Sequence, residues 1–144
     1  MIEDEFQFVD SNVLVYANDV SGGTKRQLAK RLLEDLWETK NGCMSVQVFQ
    51  EFYATVTAKI KQPLSSDAAS QVISSYTVWK IHTPNVRDVL NSISIQQRYG
   101  ISIWDALIVN SASQLGCAIL WTEDLADGHV YESVRVRNPF TETG

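Results

Sequence analysis

Residues 101–125, with the sequence ISIWDALIVNSASQLGCAILWTEDL, join a predicted helix to a predicted buried strand. Ser102 can cap the helix, and Asp105 follows in the S-x-x-D form of a capping box. Gly116 predicts the end of the helix near Leu115. The apolar run CAILWT at 117–122 is typical of a strand that is buried on both faces. This succession predicts a parallel sheet that is covered by helices.

Strands and helices alternate along the rest of the chain. Runs rich in strand-forming residues predict strands at 6–10, 43–46 and 80–83, and an edge strand, VRVRN, at 134–138. Helices are predicted at 12–17, from a cap at Thr24 to 40, from a cap at Ser45 to about 59, at about 65–76 and at 86–99. Asn41 and Gly42 are expected to stop the second of these helices. The alternation predicts a three-layer α/β/α sandwich with a central, mostly parallel sheet.

The length of 144 residues fits a single domain over 1–144, with PFTETG at 139–144 as a tail. No apolar run approaches the roughly 20 residues of a membrane helix, and the acidic start MIEDEFQF does not resemble a signal peptide. We therefore expect a cytoplasmic protein with no membrane association. Cys43 and Cys117 are expected to be free, buried thiols.

Four acidic residues are attached to apolar segments that lie far apart in the chain. Asp10 ends FQFVD, Glu51 lies within SVQVFQEFYATV, Asp105 opens the helix quoted above, and Asp124 follows CAILWT. Asp10 and Asp124 come directly after strands, so both should lie at the carboxyl edge of the sheet, where such folds bind ligands. Clustered carboxylates repel one another unless a cation lies between them. The pattern therefore predicts a divalent metal ion.

Each acid also has a simpler interpretation. Asp10 can cap the following helix, and Asp105 can serve the capping box and the helix dipole. Glu51 can be a solvated residue of a helix, and Asp124 a turn residue. Their joint occurrence, rather than any one of them, favours a functional site.

The net charge of −5 taken alone argues against a nucleic-acid-binding protein. Without the four acids, however, the chain has 13 acidic and 12 basic residues and is nearly neutral. A metal ion among these acids would attract phosphate instead of repelling it. The basic stretch Lys25, Arg26, Lys30 and Arg31 favours a solvated helix face, and a phosphate-tracking surface is the alternative.

The segments FVDSNVLVYA, SVQVFQEFYATV, ISIWDALIVNSASQLGCAILWTEDL and VRVRNPF resemble the PIN domain family, particularly the VapC-type toxin ribonucleases. The resemblance covers nearly the whole chain in the expected order. It implies that the family's catalytic and metal-binding roles belong to Asp10, Glu51, Asp105 and Asp124. It gives supporting roles to Asn12 and Thr122, while Asp127 is a looser match to a further acid in some relatives.

The same resemblance implies an endoribonuclease that uses Mg²⁺ or Mn²⁺ to activate water and cleave RNA phosphodiester bonds. It further implies the toxin of a type II toxin–antitoxin pair, a homodimer that a cognate antitoxin protein inhibits. Apolar residues of the predicted helices at 46–59 and 65–78 independently favour a contact with a second subunit. Trp104 and Trp121, which flank two of the acids, are expected to pack in the core.

Two other functions remain open at this point. A metal-dependent phosphatase or phosphoryl-transfer domain can use a similar sheet. The haloacid-dehalogenase-like enzymes, however, have a second acid two residues after the first, where this chain has Asn12. A catalytically silent PIN-type binding module is the other alternative, and the presence of all four acids argues against it.

Overall fold

A computed structural model of the chain describes residues 5–141. Its strands are β1 (Gln7–Val9), β2 (Gly42–Ser45), β3 (Lys80–His82), β4 (Ile119–Trp121), β5 (Val130–Tyr131) and β6 (Val134–Arg137). Its helices are α1 (Ser11–Ala17), α2 (Gly23–Thr39), α3 (Val46–Val56), α4 (Ser66–Ser75), α5 (Val86–Tyr99) and α6 (Ile103–Gln114). A turn of 3-10 helix at Tyr76–Val78 lies between α4 and β3.

One sheet with the strand order β3-β2-β1-β4-β6-β5 forms the centre of the molecule. All neighbouring strands pair in parallel except β5 and β6, which pair antiparallel. The chain moves from β1 to β3 in one direction and then crosses back to β4. Because such crossovers are right-handed, α1 to α4 cover one face and α5 and α6 cover the other. The predicted three-layer sandwich is confirmed.

Three helices begin where the sequence offers a capping serine. The Oγ atoms of Ser45, Ser65 and Ser102 accept hydrogen bonds from the backbone N–H groups of Val48, Ala68 and Asp105. The predicted cap at Thr24 is wrong, because α2 begins at Gly23 with Gly22 in the capping position. The predicted end of α3 near 59 is also late, because the helix ends at Val56.

The centre of the core consists of side chains from the inner strands. Phe8, Met44, Leu120 and Val136 have no exposed surface. Cys43 and Cys117 are free and buried, as predicted. Gly42 does not stop α2, which ends at Thr39 and is followed by Lys40 in a left-handed conformation. It lies in β2 instead, where an added Cβ would come within 2.3 Å of the Trp79 ring.

The C-terminal part of the sheet differs from the prediction. The segment VRVRN was expected to be an edge strand, but β6 lies between β4 and β5. The expected tail does not begin at Pro139, which is buried, and the Phe140 ring packs 5.0 Å from the Tyr16 ring. Residues 142–144 of the expected tail lie outside the described range. Among residues 5–141, no helix has the length and apolar character needed to cross a bilayer.

Candidate active site

Asp10 lies at the carboxyl end of β1, in the capping position of α1. Its backbone N–H donates to the Trp121 carbonyl at 3.0 Å, which extends the pairing between β1 and β4. Its Oδ1 accepts from the Ser11 backbone N–H at 2.7 Å, and its Oδ2 accepts from the Thr122 hydroxyl at 2.8 Å. The side chain is only 3% exposed. The Asp10 carboxylate thus caps α1 and also belongs to the candidate site.

Asp124 is tied to the same edge through Thr122 and Asn12. The buried Thr122 Oγ1 accepts from the Asp124 backbone N–H at 3.1 Å and from Asn12 Nδ2 at 3.2 Å. Asn12 Nδ2 also donates to Asp124 Oδ2 at 3.1 Å. Asn12 Oδ1 is buried without a hydrogen-bond partner among residues 5–141. Asn12 therefore holds Asp124 and leaves one free acceptor at the site.

Glu51 is held by two hydrogen bonds from different elements. Its Oε1 accepts from the Ser11 hydroxyl at 2.9 Å, and its Oε2 accepts from Gln47 Nε2 at 3.0 Å. Gln47 also donates to the Trp104 carbonyl at 3.2 Å. Asp105 is the next residue, in the first turn of α6. Gln47 thus links Glu51 on α3 to the helix that carries Asp105.

The charges of Glu51 and Asp124 raise the pKa of both Asp10 and Asp105. Burial raises the pKa of Asp10 to about 7, against the hydrogen bonds from Thr122 and Ser11, and the charges of Glu51 and Asp124 raise it further. Burial also raises the pKa of Asp105, Ser102 opposes the rise, and Asp124 and Glu51 add to it. The fold therefore brings together acids that are far apart in the sequence, with unfavourable repulsion between them.

The chemistry of these donors fits a hard divalent cation, because all four offer carboxylate oxygens and a cation would relieve their repulsion. Within residues 5–141, no three acidic, histidine or cysteine side chains are close enough together to enclose an ion by themselves. Mg²⁺ usually keeps several water ligands and is bound through one or two carboxylates. The arrangement thus fits a partly hydrated ion and not a closed cage.

Two further sequence expectations differ from the structure. Asp127 accepts a hydrogen bond from the Asn138 backbone N–H at 2.8 Å, which places it beside the end of β6 and outside the hydrogen bonds of the four acids. Trp104 does not pack in the core, because it is 64% exposed. Trp121 is partly buried and donates from Nε1 to Gln7 Oε1 at 2.8 Å.

Three groups at the site are not apparent from the sequence. Ser11 and Gln47 hold Glu51, and Glu123 forms an ion pair with Lys25 at 3.0 Å. The Tyr16 hydroxyl also donates to Glu123 at 3.1 Å. This pair fixes the loop after β4 to α1 and α2. Local spacing carries no signal for such a contact, since Lys25 and Glu123 are 98 residues apart.

Comparison with solved structures finds proteins of similar fold. The toxin–antitoxin complex from Klebsiella pneumoniae contains a chain that is 20% identical, with a TM-score of 0.66 over 93% of this chain and 98% of that one. VapC20 from Mycobacterium tuberculosis, a sarcin–ricin-loop-cleaving toxin, is 18% identical, with a TM-score of 0.61 over 79% and 86%. VapBC2 from Rickettsia felis, bound to a promoter DNA fragment, is 18% identical, with a TM-score of 0.62 over 92% and 98%.

No curated protein sequence matches the chain. The PIN domain family matches residues 8–127, a range that contains all four acids. The order of the strands, the positions of Asp10 and Asp124 after β1 and β4, and this match lead to one assignment: the chain belongs to the PIN domain family.

Proposed function

We propose that this protein is an endoribonuclease that requires Mg²⁺ or Mn²⁺ and acts as the toxin of a type II toxin–antitoxin pair. The observation that carries the proposal is the chain of hydrogen bonds within a PIN domain that links Asp10, Glu51 and Asp124 and reaches the residue before Asp105. PIN and VapC family members are nucleases, and a neighbour of similar fold is a sarcin–ricin-loop-cleaving toxin. RNA is accordingly the proposed substrate.

Each residue has a defined part in this proposal. Asp10, Asp105 and Asp124 would hold the ion directly or through water, and Glu51 would complete the site or orient the attacking water. A bound divalent cation supplies Lewis-acid stabilisation of the phosphodiester and makes water a better nucleophile at neutral pH. Thr122 and Ser11 keep Asp10 in place, and Asn12 keeps Asp124 in place.

The proposal is tested by RNA cleavage with Mg²⁺ or Mn²⁺, with and without EDTA. Asp10→Asn should lower the rate by about 100-fold or more, because it removes a charged oxygen ligand that stabilises the ion by several kcal/mol. Asp127→Asn is the matched control and should keep the activity of the parent protein. Cleavage that persists both in EDTA and in Asp10→Asn would refute the mechanism.

The proposed partners are an antitoxin protein and a second copy of the chain, in the cytoplasm. The neighbours from Klebsiella pneumoniae and Rickettsia felis are toxin–antitoxin assemblies, which supports the antitoxin. The exposed apolar side chains favour a different dimer surface from the one that the sequence indicates. The predicted helices at 46–59 and 65–78 leave Tyr53 and Val78 exposed, whereas α5 exposes four large apolar side chains, Val86, Val89, Leu90 and Ile93. We therefore propose α5 as the dimer surface.

The other two functions receive less support. A phosphoryl-transfer enzyme of the haloacid-dehalogenase-like type would use Asp10 as a nucleophile, but that carboxylate is buried and both of its oxygens accept hydrogen bonds. Detection of a covalent phosphate on Asp10 would revive this function. A silent binding module would fail to bind Mn²⁺ in calorimetry, whereas the proposed nuclease should bind it.

A further inference from the structure

A cleft of about 420 Å³ opens beside the candidate active site, between α1 and the end of α3. It shares Ser11 and Asn12 with the site. Glu123, which lies between Thr122 and Asp124, is also part of its wall. A molecule that reaches the four acids can therefore extend into this cleft without leaving the surface.

Two lysines, Lys59 and Lys61, line this cleft, and we call it the lysine cleft. Both are exposed, and neither takes part in the ion pairs formed by residues 5–141. The acids of the cleft are already engaged. Asp19 accepts from the Ser21 N–H and hydroxyl at 3.0 and 2.7 Å, and Glu123 is paired with Lys25. Lys25 neutralises Glu123, and among the other side chains that line the cleft the two lysines outweigh the single negative charge of Asp19.

The backbone presents these lysines in a fixed loop. The Lys59 N–H donates to the Thr55 carbonyl at 2.8 Å, and the Leu64 N–H donates back to the Val56 carbonyl at 2.9 Å. Lysines that follow a helix can also act locally, because they stabilise the last carbonyls and the negative end of the helix dipole. That local effect predicts a contribution to stability and none to ligand binding.

We propose that the lysine cleft binds the phosphate backbone of unpaired RNA next to the scissile bond. The proposal rests on the ribonuclease function proposed above. A metal ion among the four acids would attract the scissile phosphate, and the neighbouring phosphates of the strand need positive charges that lie outside the acid cluster but within reach of it. Tyr16 and Ile60 add an aromatic and an apolar surface to the same cleft, which suits a base or ribose of a single strand. The strand thus runs from the acids across α1 toward Lys59 and Lys61.

The experiment measures binding of a fluorescent, mixed-sequence RNA of about 20 nucleotides, longer than common single-strand site sizes. The full chain carries Asp10→Asn in every sample so that the RNA stays intact. Lys59→Gln/Lys61→Gln is compared with Lys30→Gln/Arg31→Gln, which removes the same charge from exposed positions of α2. Anisotropy is recorded over a range of salt concentrations, with the melting temperatures of all variants. Mn²⁺ affinities are measured for the same two pairs of substitutions in the protein that retains Asp10.

A plot of log affinity against log salt concentration has a negative slope. Loss of two phosphate contacts should reduce the size of this slope by about 1.4, since each contact on a single strand contributes about 0.7. The α2 variant should keep the parent slope, and neither pair should change Mn²⁺ affinity. Equal slopes for the two pairs, or a lower melting temperature of the Lys59/Lys61 variant with unchanged RNA affinity, would overturn the inference. Cleavage of RNA by the unsubstituted protein is measured in parallel. If that protein does not cleave RNA but RNA binding still depends on the two lysines, only the proposed function is refuted.

Discussion

Asp10 is buried and lies near Glu51 and Asp124, and its protonation should be measurable in the folded protein. Burial raises its pKa to about 7 from 3.8. The folded protein therefore holds this proton more tightly than the unfolded chain does. The resulting stabilisation is fully present below pH 3.8 and is lost as pH rises through 7.

Asp10→Asn removes this pH dependence, because an amide does not ionise. Without metal ions, the melting temperature of the variant should rise relative to that of the parent protein between about pH 4 and 7, and the difference should stay constant above pH 7. Calorimetric melting of both proteins over this range measures the effect. A difference that is the same at every pH would show that Asp10 ionises normally.

Gln47 is expected to act through Glu51. Gln47→Ala removes the hydrogen bond to Glu51 Oε2 and the link to the Trp104 carbonyl, so that Glu51 is held only by Ser11. Loss of a group that orients a metal ligand should lower Mn²⁺ affinity roughly 10-fold. Isothermal calorimetry measures this change, and Gln50→Ala, at an exposed position of the same helix, is the control.

A double-mutant cycle separates this effect from general destabilisation. If Gln47 acts by orienting Glu51, then Gln47→Ala should cost no further Mn²⁺ affinity once Glu51→Gln is present. If the losses of Mn²⁺ affinity from the two substitutions add, Gln47 affects the metal site independently of Glu51. Unchanged Mn²⁺ affinity in Glu51→Gln alone would remove Glu51 from the metal site.

At the scale of elements, the hairpin between β5 and β6 contains local strain. Its two-residue loop, Glu132 and Ser133, has φ values of 50° and 69°, a left-handed pair that favours asparagine and glycine. Hydrogen bonds to Glu132 from Arg98 and from the Tyr99 hydroxyl help to keep this conformation. The hairpin is therefore held by α5 and not by its own loop sequence.

Ser133→Gly should stabilise the protein by about 1 kcal/mol, because glycine adopts the left-handed conformation without the cost of a Cβ. Ser133→Ala keeps the Cβ and should give no such gain. Urea unfolding of the two variants and the parent compares their free energies. If both variants changed stability equally, the φ value would not be the cause.

The elements that the sequence predicts well are those with local signals. Ser45 and Ser102 cap their helices as expected, and the apolar run before Thr122 forms a buried strand. The hairpin escaped prediction because Glu132 and Ser133 do not belong to the residue types that mark such a turn. Gly42 was misassigned because its close approach to Trp79 depends on packing between distant segments.

The same distinction applies to the candidate site. The positions of Asp10 and Asp124 follow from strands that end at one sheet edge. Ser11 and Glu51 lie 40 residues apart, and their hydrogen bond exists only because α1 and α3 pack together. Such contacts depend on tertiary structure, and neither periodicity nor capping patterns encode them.

At the scale of the whole molecule, the exposed apolar face of α5 predicts the mode of self-association. Leu90→Glu should convert a dimer to a monomer, because it would bury an unpaired charge in the interface. Val78→Glu is the control, since Val78 is equally apolar and exposed but lies in the region that the sequence had favoured. Light scattering at micromolar concentration measures the masses. If Leu90→Glu leaves the protein dimeric and Val78→Glu makes it monomeric, the dimer interface lies in the region at 65–78 and not on α5.

The central position of β1 has a consequence for the chain during its synthesis on the ribosome. Asp10 is made early, but its neighbours Trp121 and Thr122 and the Asp124 held by Asn12 emerge more than 100 residues later. A growing chain therefore cannot assemble the four carboxylates until Asp124 has left the ribosomal tunnel. A polypeptide that is released before that point would lack the site, so the proposed activity should come only from chains that extend past Asp124.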